Sequence, residues 1–183
     1  MQLPAGILPA VRRMKDFEKV LESNHEYIII LESRLVQLKS MIDYSHRANK
    51  KVFIHFDLIQ GLKADEYGME FLHREIKPDG ILTTRGNVVA AAKKHKLLAI
   101  QRVFILDSAA LEQSIKLIHR FEPDYVEILP GLVPEVIEEI TGETDIPVIA
   151  GGLIKEENHV TQALNAGAVA VSTSSRKLWN LST

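Results

Sequence analysis

Short apolar runs recur along the chain, each followed by a polar loop and then by a stretch mixing apolar and charged residues at helical spacing. Eight such runs are present, at 7–10, 27–31, 52–56, 80–82, 97–100, 125–128, 148–150 and 168–171. Most are too short for helices and are rich in Val and Ile. Ile28-Ile29-Ile30-Leu31 is apolar without interruption, which asks for burial on both faces and predicts a parallel strand covered by helices. Helices are predicted between the runs, over 13–21, 34–47, 64–76, 87–96, 108–119, 134–140 and 156–165. Asp107 or Ser108 before Ala109-Ala110-Leu111-Glu112 reads as an N-cap, and Pro134 suits a first helical turn.

Strands that alternate with helices imply βαβ units with right-handed crossovers, and eight of them predict closure into a (βα)8 barrel of the TIM type, an α/β fold. A flavodoxin-like or other doubly wound sheet is the structural alternative. With 183 residues against the roughly 250 usual for such barrels, the helices and loops must be short. No linker or low-complexity segment divides the chain, so residues 1–183 are read as one domain.

Composition narrows the function. At 46% hydrophobic and 25% charged residues the chain can bury a core unaided. No apolar run reaches the roughly 18–20 residues needed to span a bilayer, and no charged segment precedes an apolar one at the N-terminus, so a cytoplasmic protein without membrane contact is expected. The absence of Cys removes disulfides and thiolate chemistry. A net charge of -2 gives no global attraction to nucleic acid, so an RNA partner would need a local patch. His46-Arg47-Ala48-Asn49-Lys50-Lys51 and Lys93-Lys94-His95-Lys96 could supply one, but both fall at expected helix C-termini, where cations complement the helix dipole.

In a βα-barrel the ligand site lies at the strand C-termini, so the polar residues that follow each apolar run are the candidates. They are Arg12, Glu32, His55 with Asp57, Thr83-Thr84-Arg85, Gln101-Arg102, Glu127, Gly151-Gly152 and Ser172-Thr173-Ser174-Ser175. The pairing of Gly151-Gly152 with Ser172, Thr173 and Ser174 one unit later is the most informative. Phosphate sites in these barrels are built from the loops after strands 7 and 8, where backbone N–H groups and hydroxyls converge on an anion. A Gly-Gly turn alone would mean only a backbone bend.

His55 and Asp57 stand two apart, so an extended strand would point both the same way, toward a ligand hydroxyl or a proton to be moved. The plainer reading makes Asp57 a loop cap and His55 an interior residue. Glu32 and Glu127 add acceptors for hydroxyls, while Arg12, Arg102 and Lys63 add charge for an anion or RNA, with strand-end ion pairs as the alternative. Arg85 reads as a helix-start turn residue. No Walker A motif, Gly-x-Gly-x-x-Gly, His-Glu-x-x-His or Cys cluster is present, so neither a cofactor nor a metal has support in the sequence.

Several long segments carry a family resemblance: Ile7-Leu8-Pro9-Ala10-Val11-Arg12, His55-Phe56-Asp57-Leu58-Ile59-Gln60-Gly61, Asp65-Glu66-Tyr67-Gly68, and 76–84. Further on come 99–108, Glu127-Ile128-Leu129-Pro130-Gly131, Ala150-Gly151-Gly152 and 168–174. Over nearly its whole length the chain resembles the glycerol uptake operon antiterminator regulatory protein family. The resemblance implies a non-enzymatic regulator that responds to glycerol 3-phosphate and promotes read-through of a terminator in leader mRNA of glycerol-utilisation genes. It also implies a phosphate-binding barrel, which the residues suggested separately.

Three functions compete. A ligand-gated RNA regulator would hold the phosphate with Gly151, Gly152, Ser172, Thr173 and Ser174 and the glycerol hydroxyls with Asp57 and Glu32 or Glu127. A small phosphosugar or glycerol-phosphate enzyme would use Asp57 or Glu127 as base, but no Lys sits inside any apolar run to form a Schiff base. A protein-binding module could use Trp179 as an exposed anchor, against a plainer role in closing the barrel. Homo-oligomerisation is left open.

Overall fold

The computed structural model describes residue 3 and residues 5–181. Eight parallel strands close into a barrel: β1 (Gly6–Val11), β2 (Tyr27–Ile30), β3 (Lys51–His55), β4 (Gly80–Thr83), β5 (Leu98–Phe104), β6 (Tyr125–Leu129), β7 (Val148–Ala150) and β8 (Ala170–Thr173). Strands adjacent in sequence are neighbours in the barrel, and β1 closes it by pairing with β8, Ile7 opposite Val171. The doubly wound alternative is thereby set aside.

Seven helices cover the outside: α1 (Met14–Leu21), α2 (Leu35–Arg47), α3 (Glu66–Phe71), α4 (Gly86–Lys94), α5 (Ser108–Phe121), α6 (Pro134–Glu143) and α7 (Glu157–Asn165). Helix α3 runs on into a wider, π-helical turn over Leu72–Ile76. The expected caps are in place: Asp107 accepts a hydrogen bond from the Ala110 amide, and Pro134 opens α6. Among the described residues no eighth α-helix follows β8. A 3-10 turn, Arg176–Leu178, and the residues after it take that position, which is one way the short chain closes the barrel.

The uninterrupted apolar runs are explained by two separate cores. Alternate strand residues point into the barrel, where Leu8, Ala10, Tyr27, Ile29, Phe53, Leu82, Ile100, Tyr125, Ile149 and Ala170 form one cluster. The intervening residues, Ile28, Ile30, Val52, Ile54, Ile81, Val126 and Val171 among them, pack under the helices in a second. Inside the barrel volume is rationed. A Cβ on Gly80 would stand 2.4 Å from Phe53 Cε1, so the large ring on β3 demands glycine on β4 beside it. At the amino end, Tyr125 Oη accepts the Leu3 amide, and Asp79 and Asp124 accept the amides of Val52 and Ala99.

Two of the boundaries that differ from the sequence reading bear on the site. The fifth run continues as strand through Phe104, so Gln101 and Arg102 lie within β5, and β8 reaches Thr173, so Ser172 and Thr173 lie within it. Hydropathy alone stops a strand where polar side chains begin. Here Arg102, Ser172 and Thr173 find hydrogen-bond partners inside the barrel or beneath the loops, while the Gln101 amide is buried without one. Among the described residues no helix is long and apolar enough to cross a membrane.

Candidate functional site

The carboxyl ends of the strands surround an open cleft of about 510 Å³, within the range of small-molecule sites. Its wall is made by Gly152, Leu153, Ile154 and Lys155 after β7 and by Ser172, Thr173, Ser174 and Ser175 at the end of β8, with Arg12, Arg102 and Glu127 contributing from β1, β5 and β6. The two late loops singled out from the sequence therefore face one space. They are also tied together: Thr173 Oγ1 donates to the Ile154 carbonyl at 2.9 Å and accepts the Ser175 amide at 3.1 Å.

Backbone conformation explains the glycines. Gly152 and Leu153 both adopt left-handed φ, 71° and 60°, which turns the chain sharply after β7 and leaves the Leu153 side chain exposed. Gly151 is required by crowding instead: a Cβ there would lie 2.6 Å from Ser172 Oγ and 2.7 Å from Glu127 Oε1. Ser174 is the exposed hydroxyl of the trio, whereas Ser172 and Thr173 are buried.

Below the loops lies a buried polar floor. Glu127 is 2% exposed and accepts Ser172 Oγ at 2.5 Å through Oε1 and Arg102 Nε through Oε2. Arg102 Nη1 in turn meets His55 Nε2. These residues come from β3, β5, β6 and β8, so four strands converge on one network at the point where interior side chains change from apolar to polar. Burial, then the adjacent Arg102 cation, push the His55 pKa down to about 4, so the ring is neutral at pH 7. A neutral ring that takes a hydrogen bond from Arg102 at Nε2 carries its proton on Nδ1.

Not every candidate joins the cleft. Residue Asp57 falls in a 3-10 turn, Phe56–Leu58, after β3 has ended at His55, so the alternation expected to point both the same way stops between them. Its carboxylate accepts Thr83 Oγ1 at 2.9 Å, the Thr84 amide at 2.8 Å and Thr84 Oγ1 at 3.0 Å, with Arg85 Nε 3.6 Å away. It caps the loop into α4. Glu32 pairs with Arg12 at 3.0 Å on the rim. Lys63 is exposed on the loop before α3 and lies outside the cleft wall. Trp179 is not an exterior anchor: it is 7% exposed, and its Nε1 donates to the Thr173 carbonyl.

Lys155 was missed because it begins the stretch leading into α7 rather than following an apolar run. Its place three residues after a paired-glycine turn was the available signal. The two basic runs are largely self-satisfied. Lys51 pairs with Glu26 and His46 with Asp79, Lys50 is buried against the Ser23 carbonyl, Lys94 pairs with Glu66, and Lys93 bonds the Glu122 carbonyl. Among the described residues no group of three or more His, Asp or Glu could hold a metal ion.

With this geometry in view, comparison with known proteins decides the family. The sequence model of the family described as "Glycerol-3-phosphate responsive antiterminator" matches residues 7–179. The chain belongs to that family. It is 47% identical to the glycerol uptake operon antiterminator regulatory protein of Listeria monocytogenes str. 4b F2365, whose crystal structure superposes with a TM-score of 0.92 over 95% of this chain and 94% of that one. A glycerol uptake operon antiterminator-related protein from Thermotoga maritima MSB8 is 31% identical, with a TM-score of 0.87 over 98% of this chain and all (100%) of that one. The protein YgcP of Escherichia coli strain K12, described as uncharacterized, is 32% identical over 96% of this chain and 92% of its own length. A putative deoxyribose-phosphate aldolase from Coccidioides immitis shares the barrel, with a TM-score of 0.72 at 14% identity over 95% of this chain and 83% of that one, which speaks to fold alone.

Proposed function

We propose that the chain senses glycerol 3-phosphate at the barrel mouth and, with the ligand bound, acts on leader mRNA of glycerol-utilisation genes in the cytoplasm. The observation that carries this reading is the convergence of residues 152–155 and 172–175 on one cleft. The phosphate would lie against the turn at Gly152 and against the Ser174 hydroxyl and the backbone after β8, with Lys155 and Arg12 as cations of the cleft wall; the Gly151 amide and the Ser172 and Thr173 hydroxyls already donate to Ile128, Glu127 and Ile154. The glycerol hydroxyls would reach Glu127 and Arg102. Asp57, with both oxygens engaged, would act indirectly through the β4 loop, and Glu32 through its ion pair with Arg12 on the rim. A regulatory rather than enzymatic role is supported by the floor itself: Arg102 and Glu127 neutralise one another, and the lysine of the cleft sits on its rim.

The test is binding of leader RNA with and without glycerol 3-phosphate at several salt concentrations. Ligand should change RNA affinity, and the logarithm of affinity should fall linearly with the logarithm of salt. The change can be no larger than the ligand's differential affinity for the two protein states. No ligand effect at saturation removes the switch. Ser174→Asp sets like charge against the phosphate and should weaken glycerol 3-phosphate at least tenfold; an unchanged affinity means that the phosphate lies elsewhere.

A further inference from the structure

We infer that the His55–Arg102–Glu127–Ser172 floor is a specificity filter that admits a phosphomonoester ending in a neutral polyol and rejects one ending in a carboxylate. The inference rests on the cleft being the phosphoester site, and it adds what decides between phosphoesters. The argument is an inventory of donors and acceptors. Arg102 spends Nε on Glu127 and one Nη on His55, which leaves its remaining N–H groups for a ligand. Ser172 donates its hydroxyl proton to Glu127 at 2.5 Å, so toward the cleft it can only accept. Glu127 is acceptor-only.

The floor therefore offers donors from one residue and acceptors from two, side by side. A hydroxyl group, which both donates and accepts, satisfies that pattern: it takes an Arg102 N–H and gives its proton to Ser172 or Glu127. Vicinal hydroxyls do so twice. A carboxylate can use only the Arg102 donors and must approach the Glu127 carboxylate, whose negative charge is held in a site 97% shielded from water by its neighbours' packing (2% exposed for the residue, 3% for the side chain). The guanidinium cannot offset this, because Glu127 already neutralises it.

His55 is the positioning residue. A protonated or absent imidazole would leave Arg102 free to swing toward an incoming anion. A neutral ring at Nη1 holds the guanidinium plane toward Glu127 instead. The phosphate is met at the rim by Lys155 and backbone, and the other end of the ligand is met by a neutral floor.

The experiment measures, by calorimetry, the dissociation constants of glycerol 3-phosphate and 3-phosphoglycerate for the wild-type chain and for Glu127→Gln, with inorganic phosphate as a probe of the rim. The wild-type chain should prefer glycerol 3-phosphate at least thirtyfold. Glu127→Gln keeps the acceptor for Arg102 and removes the opposing charge, so the preference should shrink at least tenfold, through tighter 3-phosphoglycerate, while inorganic phosphate is unmoved. His55→Leu should narrow the preference in the same direction by a smaller factor. Equal binding of both phosphoesters by the wild-type chain, or a preference unchanged in Glu127→Gln, overturns the filter and leaves the sensor reading standing. Failure of the wild-type chain to bind either phosphoester or phosphate overturns the sensor reading and the filter with it. Should Glu127→Gln lose its native circular dichroism, the double variant Arg102→Met, Glu127→Leu, which buries no lone charge, takes its place and should bind the two phosphoesters within threefold of each other.

Discussion

The rim of the cleft and its floor, only one layer of residues apart, are built on opposite principles. The rim, residues 152–155 and 173–175, works mainly through backbone: two successive left-handed residues, a hydroxyl that ties one loop to the other, and a lysine. The floor works through side chains: one buried carboxylate, one buried imidazole and one largely covered guanidinium from separate strands, each dependent on the others. A rim of this kind tolerates change because water can replace what is lost. A buried charge network does not, because removing one member strands another in a medium that solvates it poorly. The difference teaches where stability and recognition are coupled in this barrel, and it can be broken at three points.

The largest effect should come from Glu127→Leu. Arg102 would be left buried without its counter-charge, and urea unfolding should show a loss of about 3–5 kcal/mol. A loss under about 1 kcal/mol would mean that the floor is no more coupled than the rim.

Acid should act on the same network. The folded-state pKa of His55 is pushed down to about 4 from an ordinary value of 6.5, so as pH falls the unfolded chain takes up this proton first. Its contribution is whole above about pH 6.5 and is lost progressively down to about pH 4, with a ceiling of about 3 kcal/mol. Unfolding midpoints at pH 7 and pH 4.5 for the wild-type chain and His55→Asn check this. The wild-type chain should lose more than the variant, and equal losses would place the acid sensitivity elsewhere.

The smallest effect sharpens the boundary between the two regions. Gly151→Ala puts a methyl group into contact with Ser172 and Glu127, an overpacking that should cost about 1–3 kcal/mol in thermal denaturation. Gly152→Ala meets only the movable Leu129 Cδ2 at 3.1 Å, so its cost, about 1–2 kcal/mol, should come from the left-handed φ of 71°. A Gly151→Ala cost under about 0.5 kcal/mol would mean that the contact of Gly151 with the floor has no energetic weight.

Much of this was legible along the chain. The continuous apolarity of 28–31 required two buried faces, and the structure supplies them as barrel interior and helix interface. The Gly151-Gly152 and Ser172-Thr173-Ser174 pairing pointed to one cleft because strand order in such a barrel makes late units neighbours. Of the two readings of Asp57 the structure shows the loop cap, and sequence spacing could not choose between them because it cannot show that the strand ends at His55 and that a 3-10 turn takes over. Of the two readings of Trp179 the plainer one holds, closure of the barrel, although no local pattern announces that the segment after β8 folds back to replace a helix.

By itself the sequence determined the repeating unit, the number of repeats and the end of the barrel on which chemistry could stand, because hydrophobic period and turn residues act within a few positions. Only the tertiary structure decided which polar residues meet. His55, Arg102, Glu127 and Ser172 come from four strands spread over more than a hundred positions, and whether each points inward, finds a partner or keeps its charge depends on closure of the barrel. The solvation of a buried group is set by neighbours in space, and no local rule of sequence encodes them.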